Sequence, residues 1–289
     1  MDREDFESCG NVAGLGSPQS VKATSPKVAK GTQPATPQNR VWRQNKRSVL
    51  SSTYIESEDR PALTRPRVMA RVTVIVPTLN EASAIGKVLS EMPDELLEEV
   101  IGVDSSSDDT PKIARNFGVK VIPERRRGYG RALQTGIEEA NGDVVVYIDG
   151  DYTYAPMDIP RVVEPILKGE CDVVLGNRFG GMMHPNAMNL LNRFGNFIIS
   201  LIFSVVVLRR VNDTQCGLRA IRKRWLEGTS YKDYGMPYVT EQLIKLVKKG
   251  ARIGNVPVAY RPRIGTTKLC AWTDGFKILE VILRERFSR

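Results

Sequence analysis

Two carboxylates separated by one glycine, Asp149-Gly150-Asp151, follow directly on the apolar run 144–148. The run consists of β-branched and aromatic residues, a composition typical of a strand buried on both faces in a parallel sheet. Functional groups in such sheets gather at the carboxyl ends of the strands. Two acidic side chains at that position suit a divalent cation that takes oxygen ligands and keeps room for waters and substrate phosphates. The alternative is a simple turn, because Asp and Gly are common turn residues.

The overall composition limits the classes of protein that the chain can represent. With 289 residues, 41% of them hydrophobic and 26% charged, it is long enough for one large α/β domain plus a tail. The net charge of +9 indicates an affinity for polyanions, whether nucleic acid, phosphorylated ligands or an anionic membrane. A single histidine, His184, excludes a histidine-rich metal site. The four cysteines stand singly, which favours a reducing compartment over a disulfide framework.

Strand and helix patterns alternate from Arg71 onward. This alternation predicts an α/β fold, with a mostly parallel sheet, helices on both faces and right-handed crossovers, over residues 70–289. Residues 1–69 are rich in Pro, Ser and Thr and predict a disordered basic tail. The predicted strands are 72–76, 100–103, 119–122, 143–148 and 172–175.

An uncharged apolar stretch, residues 194–208, is preceded by Arg193 and followed by Arg209 and Arg210. It is shorter than the roughly 20 apolar residues that a transmembrane helix needs. It therefore predicts either a buried core helix, which the pattern alone favours, or a helix lying in a membrane interface with arginines at the headgroups. Any membrane contact of the second kind would be peripheral.

The basic segment 125–131 joins flexible glycines to four arginines, among them Arg131. Guanidinium groups can bind phosphate oxygens in a bidentate manner, so the segment could hold a phosphorylated ligand. A solvated basic loop is the alternative. The segment lacks the last glycine of a dinucleotide-binding loop and follows the third predicted strand, so that class of protein is not expected.

Three motifs at three predicted strand ends together resemble the family-2 glycosyltransferases of the GT-A fold. These enzymes have a Rossmann-like sheet and transfer the sugar of a nucleotide-sugar donor. The motifs are Pro77-Thr78-Leu79-Asn80-Glu81, the acidic and serine-rich segment 104–110, and Asp149-Gly150-Asp151. Segments 176–179, 213–219 and 263–268 are similar to the polyprenyl-phosphate branch, typified by dolichol-phosphate mannose synthases. The resemblance covers about residues 71–275.

The resemblance implies roles for individual residues. Asp149 and Asp151 would hold Mg²⁺ or Mn²⁺ on the diphosphate of a nucleotide-sugar donor, GDP-mannose or UDP-glucose. Arg178 and Arg193 would bind the acceptor phosphate, and these four residues form the catalytic set. Arg263 and Lys268 would lie in a loop that closes over the donor. The full donor-binding set comprises Pro77, Leu79, Asn80, Glu81, Asp104, Arg131, Asp149, Gly150, Asp151, Arg263 and Lys268.

The resemblance also implies the reaction, an inverting transfer of mannose or glucose to a polyprenyl (dolichyl) phosphate. We expect a peripheral protein at the cytoplasmic face of a membrane, with a membrane-anchoring subunit as a further possible partner. Tyr152-Thr153-Tyr154-Ala155-Pro156 departs from the Leu-Gln and paired prolines that many dolichol-phosphate mannose synthases carry at this place. The identity of the sugar therefore stays open.

Other interpretations remain. A soluble transferase of the same fold could use a small phosphorylated or hydroxyl acceptor, and a hydroxyl would need a general base, for which Glu241 is the candidate. Glu241 could equally be an ordinary acid in the first turn of a helix. The net charge and the basic cluster at residues 42–47 would also suit a nucleic-acid-binding protein, although phosphates of donor and lipid explain the charge equally well and no nucleic-acid partner is expected. Nucleotidyl transfer is disfavoured because no glycine-rich loop follows the first strand.

Overall fold

Strands and helices alternate through most of the computed structural model, which describes residues 70–267 and 271–288. The tail predicted for residues 1–69 and the predicted donor residue Lys268 lie outside the described residues. The strands are β1 (Val72–Thr78), β2 (Leu97–Asp104), β3 (Lys120–Pro123), β4 (Val144–Tyr147), β5 (Val173–Asn177), β6 (Arg219–Arg222) and β7 (Ile253–Pro257). The helices are α1 (Ile85–Ser90), α2 (Thr110–Asn116), α3 (Tyr129–Glu139), α4 (Ile159–Leu167), α5 (Leu190–Val207), α6 (Tyr238–Lys248) and α7 (Ala271–Phe287).

The strands form one sheet in the order β3-β2-β1-β4-β6-β5-β7. Every neighbouring pair is parallel except those of β6, which runs antiparallel to both β4 and β5. The predicted mostly parallel sheet is confirmed. The reversed β6 has a consequence for the site, because the amino end of an antiparallel strand lies at the carboxyl edge of its parallel neighbours. The loop that precedes Arg219 therefore reaches the same edge as the ends of β4 and β5.

Alternating side chains of the central strands pack into two hydrophobic layers, one on each face of the sheet. In β1, Val74 and Val76 belong to the layer formed with α1, α2 and α4, whereas Ile75 belongs to the layer formed with α3, α6 and α7. In β4, Val146 and Tyr147 divide in the same way. Burial on both faces explains why these strands are continuous apolar runs. It also leaves polar residues to the strand ends, where they meet solvent.

Helix α5 departs from the favoured sequence prediction. Of its 18 residues only Ser200 and Phe203 are buried, so the prediction of a buried core helix is wrong. Two serines tie it to the loop that follows: the amide of Thr214 donates to Ser200 Oγ at 3.0 Å, and the amide of Val211 donates to Ser204 Oγ at 3.0 Å. Its exposed large apolar side chains are Leu190, Leu191, Phe194, Phe197, Leu201 and Val205.

By length and composition alone, α5 could cross a membrane, and it is the one helix of the described part of the chain that meets this condition. Its mean hydropathy is 1.8. The buried Phe203 and the two serine contacts nevertheless hold one side of the helix on the domain. The apolar residues that remain exposed form the solvent-facing side of a docked helix.

Candidate active site

The loops that follow β1 and β2 are joined by hydrogen bonds at the carboxyl edge of the sheet. Thr78 Oγ1 donates to Asp104 Oδ1 at 2.8 Å. The amide of Asn80 donates to Ser106 Oγ at 2.7 Å, and Asn80 Oδ1 accepts from the amide of Ser107 at 2.8 Å. Asn80 has a left-handed backbone (φ 53°), a conformation that Asn tolerates better than most residues. The first two sequence motifs thus form one connected wall.

A cavity of about 480 Å³ lies beside this wall, and its size is in the range of small-molecule sites. Glu124 contributes a second carboxylate, and a hydrogen bond from Arg126 lowers its pKa to about 2. The cavity is therefore lined both by carboxylates, which accept hydrogen bonds, and by arginines, which donate them. Its lining residues include Asp104, Ser105, Ser106, Glu124, Arg125 and Arg127.

Asp149 follows β4 and is enclosed on two sides. The Tyr129 hydroxyl donates to Asp149 Oδ1 at 2.9 Å. On the other side, a Cβ at Gly217 would lie 2.3 Å from Asp149 Oδ2, so only glycine fits there. Burial, together with the nearby negative charge of Asp151, raises the pKa of Asp149 to about 7.

Asp151 is fully engaged in hydrogen bonds. The amide and hydroxyl of Thr153 donate to its Oδ1 at 3.0 and 2.6 Å. Arg263 Nη1 donates to its Oδ2 at 2.7 Å, and Arg263 Nη2 reaches Glu81 Oε1 at 2.5 Å. Arg263 Nε is buried without a hydrogen-bond partner among the described residues. Arg263 therefore acts as an internal cation between two carboxylates, in a position that leaves one of its donors unsatisfied.

The carboxylates fit a hard divalent cation only if other ligands join them. Among the described residues, no group of three or more His, Cys, Asp or Glu side chains could hold a metal ion. Asp149 and Asp151 can supply oxygen ligands. Asp151 already forms an ion pair with the guanidinium of Arg263, so its carboxylate binds a positive charge in this structure. A cation bound here would complete its coordination with phosphate oxygens and water, as Mg²⁺ commonly does.

The two predicted acceptor-phosphate residues lie in different environments. Arg178 is buried, and its Nε and Nη2 each donate to the carboxylate of Asp213 at 2.7 Å. Its guanidinium carbon also lies 5.2 Å from the ring centroid of Tyr260. Arg193 is exposed in the first turn of α5. Arg178 is therefore held by protein contacts, and Arg193 is the more accessible of the two; their role toward an acceptor stays a prediction.

The predicted donor residue Arg131 packs against the protein. Its guanidinium carbon lies 3.3 Å from the ring centroid of Tyr234, a cation–π contact. Its amide donates to the carbonyl of Tyr234 at 3.0 Å. In the same basic segment, Arg125 and Arg127 line the cavity beside Asp104. These two arginines are thus better placed than Arg131 to meet a ligand in that cavity.

Glu241 requires a correction. It is fully buried in α6, where its carboxylate accepts hydrogen bonds from the amides of Lys232 (3.0 Å) and Asp233 (2.8 Å) and pairs with Lys245. Burial opposes ionisation, but the hydrogen bonds from Lys245 and the two amides prevail and lower the pKa of Glu241. A buried carboxylate that anchors a loop has no route to a substrate hydroxyl. Its proposed role as a general base is therefore wrong.

Two contributors to the site were missed at the level of sequence. Tyr129 was seen only as part of a basic, glycine-containing segment, although a hydroxyl between two glycines was a usable signal. Arg219 is buried and donates to the carbonyls of Cys216 (2.6 Å), Thr214 (3.2 Å) and Val239 (3.3 Å). Its fixed positive charge opposes the rise in the pKa of Asp149 that burial causes.

Comparison with known proteins shows the fold and the family of this chain. The chain is similar to glucosyl-3-phosphoglycerate synthase from Mycobacterium tuberculosis, solved with Mn²⁺, UDP and its product, with a TM-score of 0.63 and 22% identity over 79% of this chain and 86% of that one. This likeness confirms the GT-A fold. The family model of glycosyl transferase family 2 matches residues 73–229, and the chain belongs to that family.

Two relatives from Haloferax volcanii are similar over most of the domain. A dolichyl-phosphate hexose transferase is 35% identical over 222 residues, which cover 74% of this chain and 95% of the relative. The low-salt glycan biosynthesis hexosyltransferase Agl6 is 29% identical, with 73% of this chain and 53% of the relative covered. The chain is therefore a glycosyltransferase.

We expect Asp149→Asn to stabilise the metal-free protein at pH 8 by roughly 2–4 kcal/mol and to change its stability little at pH 4. The pKa of Asp149 in the folded protein, about 7, lies above its ordinary value of 3.8. Stability that the wild type has at low pH is consequently lost as the pH rises from about 4 to 7. Thermal unfolding in a chelator at several pH values measures this difference.

The control is Asp143→Asn, because a hydrogen bond from the amide of Arg71 lowers the pKa of Asp143. This variant should lose stability at pH 8, the opposite sign. An Asp149→Asn protein that is less stable than the wild type at pH 8 would contradict the interpretation that burial disfavours the ionised form of Asp149.

Arg263→Gln should strengthen the binding of Mn²⁺ in the absence of nucleotide, by about threefold or more, because a competing cation leaves Asp151. The metal-free variant should at the same time unfold at a lower temperature, since Asp151 and Glu81 lose their counter-ion. Electron paramagnetic resonance of free Mn²⁺ measures the first effect. Arg71→Gln, which removes an exposed ion pair with Asp143, is the control, and equal Mn²⁺ affinities in all three proteins would refute the prediction.

Proposed function

We propose that the protein is an inverting hexosyltransferase that moves mannose or glucose from a nucleotide-sugar to a polyprenyl phosphate at the cytoplasmic face of a membrane. The observation that carries the lipid acceptor is α5. Its outer face exposes large apolar side chains, with Phe194 at 64% and Phe197 at 53% exposure, and the exposed Arg193 lies in its first turn. An apolar helix face flanked by arginines suits the boundary between headgroups and acyl chains.

The relative named dolichyl-phosphate hexose transferase supports this acceptor, because this chain covers 95% of its length. The basic composition supports it further, since an anionic leaflet attracts lysine and arginine. Helix α7 adds exposed apolar side chains of its own, Phe276, Leu283 and Phe287. A separate membrane-anchoring subunit is a further partner that such surfaces could accept.

The donor binds, in this proposal, along the wall formed by the first two motifs. Its base enters the cavity beside Asp104, and its diphosphate lies at Asp149 and Asp151. Mg²⁺ or Mn²⁺ bound there would neutralise charge on the departing nucleoside diphosphate. Arg263 can serve the same end, because its guanidinium already lies beside Asp151 and can turn to phosphate oxygens.

The acceptor phosphate attacks the anomeric carbon from the face opposite the nucleotide, so the configuration inverts. Its oxygen is already anionic at neutral pH, and the reaction needs no general base. This agrees with the burial of Glu241 in structural contacts. The protein has to hold the acceptor phosphate near the donor diphosphate despite the repulsion between their negative charges. Arg193 is accessible for this purpose, and Arg178 is held in place by Asp213.

The proposed reaction predicts a lipid-linked hexose from one member of a donor panel. The full chain, Mn²⁺, a polyprenyl phosphate and either UDP-glucose or GDP-mannose should give a product detectable by mass spectrometry. Asp151→Asn should lower the rate by about a hundredfold or more, because it removes an anionic ligand at the leaving diphosphate. Efficient transfer to a small phosphorylated acid, with none to the lipid, would refute the lipid acceptor and leave the family assignment intact.

Vesicle binding should depend on the outer face of α5. Phe197→Glu with Leu201→Glu should reduce sedimentation with anionic vesicles by about tenfold or more, because charges enter an apolar contact. Ile199 and Ile202 are less suitable positions for this substitution, because they pack against the core rather than lying on the outer face. Met157→Glu, at an exposed methionine outside α5, is the matched control. Unchanged sedimentation would refute vesicle binding through this face, and a change in oligomeric state alone would identify it as a protein interface.

A further inference from the structure

Three side chains meet where the end of α1, the turn after Asp151 and the segment before Arg263 come together. The Tyr152 hydroxyl donates to Glu91 Oε1, and Arg261 Nη1 donates to Glu91 Oε2 at 2.8 Å. The guanidinium carbon of Arg261 lies 4.5 Å from the ring centroid of Tyr152. We call Tyr152, Glu91 and Arg261 the Tyr152 bracket.

Tyr152 has a left-handed backbone, with φ of 68°, which a bulky residue adopts at a cost. The conformation is retained because the ring and hydroxyl are both held by the other two members of the bracket. It turns the chain immediately after Asp151, so that the amide of Thr153 can donate to Asp151 Oδ1 at 3.0 Å. The strained residue thus fixes the orientation of a predicted metal ligand.

The bracket also secures the segment that carries Arg263. The amide of Arg261 donates to the carbonyl of Thr153 at 2.8 Å, and the amide of Ile264 donates to the carbonyl of Asp151 at 3.1 Å. Main-chain bonds on both sides of Arg263 therefore reach the same turn. With the side-chain contacts of Arg261, they place the guanidinium of Arg263 between Asp151 and Glu81.

We propose that Tyr152, Glu91 and Arg261 are positioning residues that keep Arg263 within reach of both Asp151 and the donor diphosphate. In the ligand-free protein Arg263 neutralises Asp151. When cation and nucleotide bind, Arg263 is displaced from the carboxylate by a short movement and contacts the phosphates, while the bracket holds its backbone in place. The inference rests on the donor site of the proposed function and is independent of the acceptor.

This assignment gives a physical reason for a tyrosine at position 152. A leucine has neither the hydroxyl that binds Glu91 nor the aromatic face on which Arg261 lies. Tyrosine supplies both from one side chain. In this chain the contacts that orient Arg263 are thus built from a residue next to the predicted metal ligand.

The proposal predicts two effects of opposite sign. Tyr152→Phe and Arg261→Gln loosen Arg263, so Mn²⁺ alone should bind about threefold more tightly, as its internal competitor is held less well. Mn²⁺-dependent binding of UDP or GDP should weaken by about tenfold, because Arg263 is no longer preorganised for the phosphates. Electron paramagnetic resonance of Mn²⁺ and calorimetry of the nucleotides, on the full chain, measure the two affinities.

Three controls separate positioning from general damage. Arg261→Lys keeps the charge toward Glu91 and should restore part of the nucleotide affinity. Arg71→Gln removes an exposed ion pair outside the motif segments and should change neither affinity. In an Arg263→Gln background, Arg261→Gln should have no further effect on Mn²⁺, because residues that act through one another are not additive.

Changes of the same sign in both affinities, or an effect of Arg261→Gln that persists without Arg263, would overturn the proposal. So would unchanged affinities in both bracket variants. If the unaltered chain binds nucleotide with Mn²⁺ but transfers no sugar to a polyprenyl phosphate, the acceptor proposal fails and the bracket measurements still decide this one. If it binds neither UDP nor GDP with Mn²⁺, the donor site and the bracket inference fail together.

Discussion

Concentrated negative charge at the carboxyl edge of the sheet is the constraint on which the rest of the site depends. Burial raises the cost of ionising Asp149, and the nearby negative charge of Asp151 adds to that cost. The protein compensates from two directions. Arg219 is held beneath the site by main-chain carbonyls, and Arg263 approaches Asp151 and Glu81 from a distant segment. The buried Arg219 and the partly exposed Arg263 together supply positive charge to these carboxylates.

The reversed strand β6 makes this arrangement possible. Because it runs against its neighbours, the loop before it arrives at the edge where the parallel strands end. That loop provides Gly217, which leaves room for Asp149, and Asp213, which pairs with Arg178. A buried ion pair is costly to break once formed, so the loop is held firmly. One inverted strand thus brings a third segment of the chain to the site.

The loops after β1 and β2 differ from α5 in how they are built. These loops, which form the proposed donor site, are polar and are bonded to one another through Asn80, Ser106 and Asp104. Helix α5 is held by Phe203 and two serines and exposes an apolar face. The proposed transfer of a sugar from a charged, water-soluble donor to a lipid would need two such surfaces. Because the two surfaces lie on different elements, one can face water and the other can face lipid.

Much of the fold, and the position of the motif residues at the ends of strands, followed from sequence alone, because strand patterns and strand-end motifs are local properties. Asp149-Gly150-Asp151 could be placed after a buried strand for that reason. Contacts between residues that are far apart in the sequence were decided by the tertiary structure alone. Arg263 binds Asp151, which lies 112 residues away in the sequence. The carboxylate of Glu241 accepts hydrogen bonds from loop amides that no sequence spacing predicts. Hydropathy could not decide whether α5 is buried, because the polar Ser200 and Ser204 lie on the side held to the domain whereas large apolar side chains are exposed. Only packing against the finished domain decides which side of such a helix meets solvent.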